Sequence, residues 1–191
     1  LACARALHRD GMGFQVLEGS DGVGGRVRTD EVDGFLLDRG FQVLLAAYPE
    51  CRRILDYEAL ELRPFFPGSL VRHGGRFHRL ADPWRRPLAA FGSLLSPIGS
   101  LGDKLRVARL RRRVSRGDLD ELFSRPQRPT LEALRAEGFS EAMIDRFFRP
   151  FLGGVFLERE LSTSSRMFEF VYRMFAQGPA TLPARGMGAI P

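Results

Sequence analysis

The sequence predicts an α/β fold: a short helix–strand–glycine-loop unit joined to a mainly helical second domain. Three observations predict it. A helix-like start over residues 1–10 gives way to a short apolar run, Phe14-Gln15-Val16-Leu17, that ends in Glu18. A loop holding Gly19, Gly22, Gly24 and Gly25 follows directly. From Pro83 to Gln177, apolar residues recur at helical spacing between punctuating prolines and glycines.

Taken in order, residues 1–10 form an amphipathic helix whose Ala2, Ala4 and Ala6 permit close approach to a sheet. Gly11 and Gly13 end it, because glycine accepts the left-handed backbone of a helix stop. Phe14–Leu17 is expected as a short buried strand with Glu18 at its carboxyl end. A hairpin follows, Val27–Asp30 and Phe35–Asp38, turning near Asp33-Gly34. Tyr48–Tyr57 reads as a helix, and Ser69–Leu80 as a second hairpin turning at His73-Gly74-Gly75. Beyond it the helices are punctuated by Pro97, Gly117, Pro126, Pro129, Gly138 and Pro150. Thr130 and Ser140 stand at N-cap positions, and Ser162–Ser165 offers caps for a last helix carrying Phe168, Val171, Tyr172 and Phe175. The organisation expected is residues 1–58 as the α/β start, 59–177 as a mainly helical domain with a small hairpin, and 178–191 as a return toward the first.

Composition narrows the function classes. The 191 residues carry a formal charge of +6, yet Lys104 is the sole lysine, so the basic charge is arginine spread along the chain. Scattered arginine is weak support for nucleic-acid binding, and no nucleic-acid partner is expected. Cys3 and Cys51 form neither a disulfide framework nor a metal-ligand spacing. No run approaches the roughly 18 apolar residues of a membrane span, and no signal peptide is legible, so the reading is cytoplasmic. The start at Leu1 reads as the middle of a helix and the end at Pro191 lacks a closing element, so the sequence is read as an internal piece of a longer protein.

The chemistry sits between Leu17 and Gln42. An acid at the tip of a Rossmann-type second strand accepts hydrogen bonds from ribose hydroxyls, and Glu18 occupies that place. Gly24-Gly25 lets backbone approach a pyrophosphate with no β-carbon in the way. Arg26 follows, with a forked guanidinium suited to phosphate oxygens. The three features fit one elongated ligand. His8, His73 and His78 are apart in sequence and read as surface residues, and no acid–base constellation names a catalytic residue or a metal ligand.

The string Val16-Leu17-Glu18-Gly19-Ser20-Asp21-Gly22-Val23-Gly24-Gly25-Arg26-Val27-Arg28-Thr29 resembles the second dinucleotide-binding signature of the flavin-containing amine oxidase superfamily, which includes phytoene desaturases and protoporphyrinogen oxidases. Gly34 to Gln42 is similar to the family's next element, an acid and a glycine two residues apart, here Asp38 and Gly40. Leu182 to Pro191 resembles a family segment reading proline, any residue, glycine-glycine-methionine, with Arg185 where the first glycine is usual. Phe151-Leu152-Gly153-Gly154-Val155-Phe156 resembles a substrate-domain stretch.

The resemblance implies FAD as cofactor, a partial Rossmann-type FAD-binding domain lacking its first strand and glycine loop, and a helical substrate domain. It implies an FAD-dependent oxidoreductase passing a hydride from an amine or apolar substrate to flavin, with these residues inactive alone. Glu18, Gly24, Gly25 and Arg26 carry over as cofactor contacts, Gly40, Phe41 and Gln42 as neighbours of the flavin ring, and Asp38 as a structural acceptor holding the turn. Arg28 is balanced between cofactor and surface roles.

Three other readings stay beside this one. A nicotinamide-dependent dehydrogenase would share the second-strand acid but would not need glycine-glycine-arginine. A non-enzymatic basic helical binding module rests on residues 103–116 alone. For that same helix, whose Leu101, Leu105, Val107, Ala108 and Leu110 make no clean stripe, the sharper reading beside a solvated face is peripheral contact with anionic lipid. The phenylalanines at 147, 148, 151 and 156 and from 168 to 175 are read as core, with an apolar substrate tunnel as the alternative. The small-molecule substrate stays open, leaning toward a hydrophobic one.

Overall fold

A computed structural model describes the backbone of residues 1–191 and every side chain but those of Ala90 and Leu94. The chain forms two units, residues Leu1–Phe65 with Gly178–Pro191, and residues Phe66–Gln177.

The first unit opens on helix α1, Ala2–Arg9, closed by amide-to-carbonyl bonds from Asp10 to Ala6 and from Gly11 to His8, with Gly11 at φ +69°. The strand expected at Phe14–Leu17 does not form. These residues are irregular and exposed, with Leu17 84% accessible. A strand is held by its neighbour's hydrogen bonds, and no described residue pairs with this segment. The Rossmann-type arrangement is therefore not formed among the described residues, and the α/β character rests on small antiparallel sheets beside helices.

Strands β1, Arg28–Val32, and β2, Phe35–Arg39, form the first hairpin, in register from Arg28↔Arg39 to Val32↔Phe35. Asp33 and Gly34 both take positive φ, the type I′ geometry whose twist matches paired strands. Strand β3 is Leu44–Leu45, and helix α2 spans Pro49–Ile54 rather than residues 48–57. Pro49 pre-sets the first helical φ and Leu55 turns extended, which fixes both ends. Strand β4, Arg63–Pro64, completes this part of the unit.

The second unit begins with hairpin β5, Gly68–His73, and β6, Arg76–Ala81, joined through Gly74-Gly75. Helices follow: α3 Pro87–Leu94, α4 Leu101–Val114, α5 Leu119–Ser124 and α6 Thr130–Ala136. Ser140 caps the next helix, accepting from the Met143 amide at 3.2 Å. Thr130 does not cap: Pro129 holds that position, and the Thr130 hydroxyl donates to the Thr163 carbonyl at 2.6 Å. Pro150 does not end its helix either. Helix α7, Glu141–Met143, widens into a π-turn at Ile144–Phe148 and continues as α8, Arg149–Phe156. The Arg149 amide reaches back to Ile144, and the wide turn absorbs the proline that follows.

Helix α9, Ser165–Gln177, closes the unit. Leu110, Val114, Leu134, Ile144, Phe148 and Phe168 are among its fully or almost fully buried core. The Phe148 ring meets Phe139 edge-on at 4.9 Å and Phe168 at 6.1 Å, so these aromatics pack as core. The chain then returns to the first unit, where strand β7, Ala180–Leu182, lies between β3 and β4 and antiparallel to both.

Candidate functional site

All seven expected cofactor residues lie in the first unit, on the loop before β1 and the segment after β2. Glu18 is exposed, and one oxygen, Oε1, accepts the Ser20 amide at 2.9 Å with the Ser20 hydroxyl at 2.8 Å. These bonds from Ser20 hold its carboxyl below the usual glutamate range, so it stays ionised. The neighbouring Gly19 amide also draws the carboxyl down. The loop between Glu18 and the hairpin is clasped by Arg28, whose guanidinium grips Asp21 in a fork, one arm at 2.8 Å. That grip pulls the Asp21 carboxyl down to about 2. Arg28 is thereby committed to the loop itself.

Residues 23–26 form a turn, with the Val27 amide bonded to the Gly24 carbonyl at 3.0 Å. Gly24 and Gly25 both have positive φ, +109° and +57°. They differ in surroundings. A β-carbon on Gly24 would sit 2.6 Å from Pro191 Cγ, whereas one on Gly25 would meet nothing within 4 Å. Gly24 is thus a packing glycine and Gly25 an open one, its backbone bare to a ligand. Arg26 is exposed and has no ion-pair or hydrogen-bond partner among the described residues. A β-carbon on Gly40, itself at φ +103°, would lie 3.2 Å from the Arg26 carbonyl. The fold therefore brings the glycine turn and the Gly40 segment together. Phe41 is half exposed, and Gln42 lines an open cleft of about 510 Å³ with Leu36, Leu37, Val43, Phe65 and Leu182.

Asp38 does more than hold its own turn. Its Oδ1 accepts the Thr29 hydroxyl across the hairpin and the Met187 amide at 2.8 Å. The Gly188 amide in turn donates to Thr29 Oγ1 at 2.7 Å. A short 3₁₀ turn, Met187–Ala189, is thereby latched onto β1, with Met187 almost fully buried. Gly186 and Gly188 approach so closely that β-carbons would lie 2.5 and 2.7 Å from Thr29 atoms. Arg185 has no such constraint and no positive φ, so a side chain fits there. Thr29 and Gly188 were not singled out from sequence; the signal was the direct Thr29↔Asp38 pairing that the hairpin register imposes.

The residues fit a dinucleotide in kind: an exposed, ionised carboxylate, a bare glycine backbone, and an unpaired guanidinium. A family model for flavin-containing amine oxidoreductases matches residues 1–191. The chain belongs to that family. No curated protein and no solved structure gives a significant match. The flavin-containing amine oxidoreductases bind FAD, so the family assigns FAD as cofactor and oxidation–reduction as the class of chemistry. It favours flavin over nicotinamide and an enzyme over a helical binding module. Among the described residues, no group of three His, Cys, Asp or Glu could hold a metal ion, and no helix is long and apolar enough to cross a membrane.

Proposed function

We propose that the first unit carries one half of an FAD site and that the protein oxidises an amine or apolar substrate by hydride transfer to flavin. The observation that carries this reading is the turn at Gly24–Arg26, open at Gly25 and ending in an unpaired arginine. Glu18 binds the adenosine ribose through its exposed carboxylate while Ser20 keeps it ionised and oriented. The Gly25 backbone and the Arg26 guanidinium bind pyrophosphate oxygens, one by close approach and the other by charge-assisted hydrogen bonds. Gly40, Phe41 and Gln42 border the isoalloxazine ring, with the adjoining cleft lined mostly by apolar side chains. When bound, the flavin supplies the electron acceptor, at N5, and the protein's task is to orient the substrate and exclude water.

FAD affinity tests this. Glu18→Gln and Arg26→Ala are each expected to weaken FAD binding about tenfold, the scale of one charge-assisted hydrogen bond. Gly25→Val is expected to abolish it. FAD binding unchanged in all three, measured by equilibrium dialysis, would remove the proposed site.

A further inference from the structure

Helix α3 shows its apolar face to solvent. Leu88 is 92% exposed, Phe91 75% and Leu95 89%, and at spacings of three and four residues they share one side of the helix. The opposite side seats on β6, where the Ser93 hydroxyl accepts the Ala81 amide at 2.9 Å. Trp84, just before the helix, is 52% exposed. Lone exposed apolar residues are ordinary, but a helix face built wholly of them is not.

The sequence leading into this face is basic, with Arg85 and Arg86 just before the helix. No acid lies between Asp82 and Asp103. Trp84 lies beneath the Arg111 guanidinium, 4.4 Å from ring centre to charge, and together they border an open cleft lined also by Arg109 and Arg112. Arg111 is committed within the unit, to Asp82 at 2.8 Å and the Ala176 carbonyl at 2.9 Å. Arg113 is committed likewise, to Glu137 and Glu169. Arg109 and Arg112 are exposed and have no partner among the described residues. The apolar residues of α4 divide accordingly. Val107, Leu110 and Val114 face inward, while Leu101 and Leu105 lie exposed on the stripe that ends in Arg109 and Arg112.

We propose that the exposed face of α3, with Trp84, Arg109 and Arg112, docks the protein on the surface of an anionic lipid bilayer. The apolar side chains enter the acyl boundary and the two arginines meet lipid phosphates. Contact through residues 103–116 as a whole is thereby narrowed to two arginines, and the apolar anchor moves to α3. Charge decides against a second copy of the chain. A two-fold contact through this face would gather Arg109 and Arg112 of both copies into one interface, with no acid between Asp82 and Asp103 to offset them.

The test is flotation of the protein with vesicles of phosphatidylcholine, alone or containing phosphatidylglycerol. Binding is expected only to the anionic vesicles, with a blue shift of emission from Trp84, the sole tryptophan, and quenching by brominated acyl chains. Phe91→Asp and Leu88→Asp, at positions exposed enough to leave the fold intact, are each expected to weaken binding at least about tenfold. Arg109→Gln and Arg112→Gln are expected to cost about fivefold each and to reduce the salt dependence. Absence of flotation overturns the proposal, as does flotation that Phe91→Asp leaves unchanged. A concentration-dependent dimer abolished by Phe91→Asp, without vesicle binding, would assign the face to a second copy.

Discussion

Asp38 shows how one carboxylate can join distant parts of a chain. Its Oδ1 receives a hydroxyl from the opposite strand and an amide from residue 187, so hairpin and tail share an acceptor. Asp38→Ala leaves both donors without it, and the expected cost is about 1–2 kcal/mol. The local readout is sharper: hydrogen exchange at the Met187 amide is expected to accelerate while exchange in the β5–β6 hairpin is unchanged. Equal acceleration in both places would show a global loss of stability instead of a released latch. The sequence carried Asp38 and the glycines of the tail, but not their meeting. That depends on cross-strand register, which becomes visible only once the turn at Asp33-Gly34 fixes it. Arg28 was equally illegible in role, because its partner Asp21 sits in a loop with no periodicity.

Helix ends carry much of the order in the second unit. Asp103, fully buried, accepts from the amide and hydroxyl of Ser100 at the start of its own helix. It accepts the same pair of bonds from Ser140 at the start of α7, at 2.9 and 2.8 Å. Burial raises its carboxyl, but the four hydrogen bonds outweigh that and hold it down at about 2. A carboxylate with a lowered folded pKa stabilises above its unfolded value and loses that contribution as pH falls. The stability of this unit is therefore expected to drop between about pH 4 and pH 2, by on the order of 2 kcal/mol. Asp103→Asn should lower stability at neutral pH and flatten that acid limb in denaturant titrations; an unaltered limb would show that another group governs it. Elements with local signals were legible. The hairpins followed from Asp33-Gly34 and Gly74-Gly75, and the Ser140 cap from its place before a helical pattern. Phe14–Leu17 carried the right apolar run for a strand, but a strand also needs a neighbour, which no local pattern supplies.

Across the whole molecule, many arginines serve as structural donors to backbone carbonyls. Arg173 reaches the carbonyls of Gly117 and Asp118, Arg146 that of Pro97, and Arg149 that of Arg159. Five donors on a rigid fork let one arginine satisfy several backbone acceptors, which a lysine does less well. Other arginines keep free guanidinium groups, Arg109 and Arg112 among them, and Arg26 is distinguished by its place at the end of the glycine turn. The family and the cofactor were legible from one stretch of sequence because backbone approach to a pyrophosphate restricts residue choice severely. The substrate was not, because an apolar lining and an apolar core use the same side chains.

The site proposed at Glu18 and the Gly24–Arg26 turn takes the adenosine–pyrophosphate part of FAD. An amide NMR titration of the protein with FAD, and with ADP, tests it most directly and registers weak binding. Shifts are expected at Ser20, Gly25 and Arg26, reproduced by ADP and weakened about tenfold by Glu18→Gln. Saturating FAD that leaves these amides unmoved, or moves only others, would contradict it.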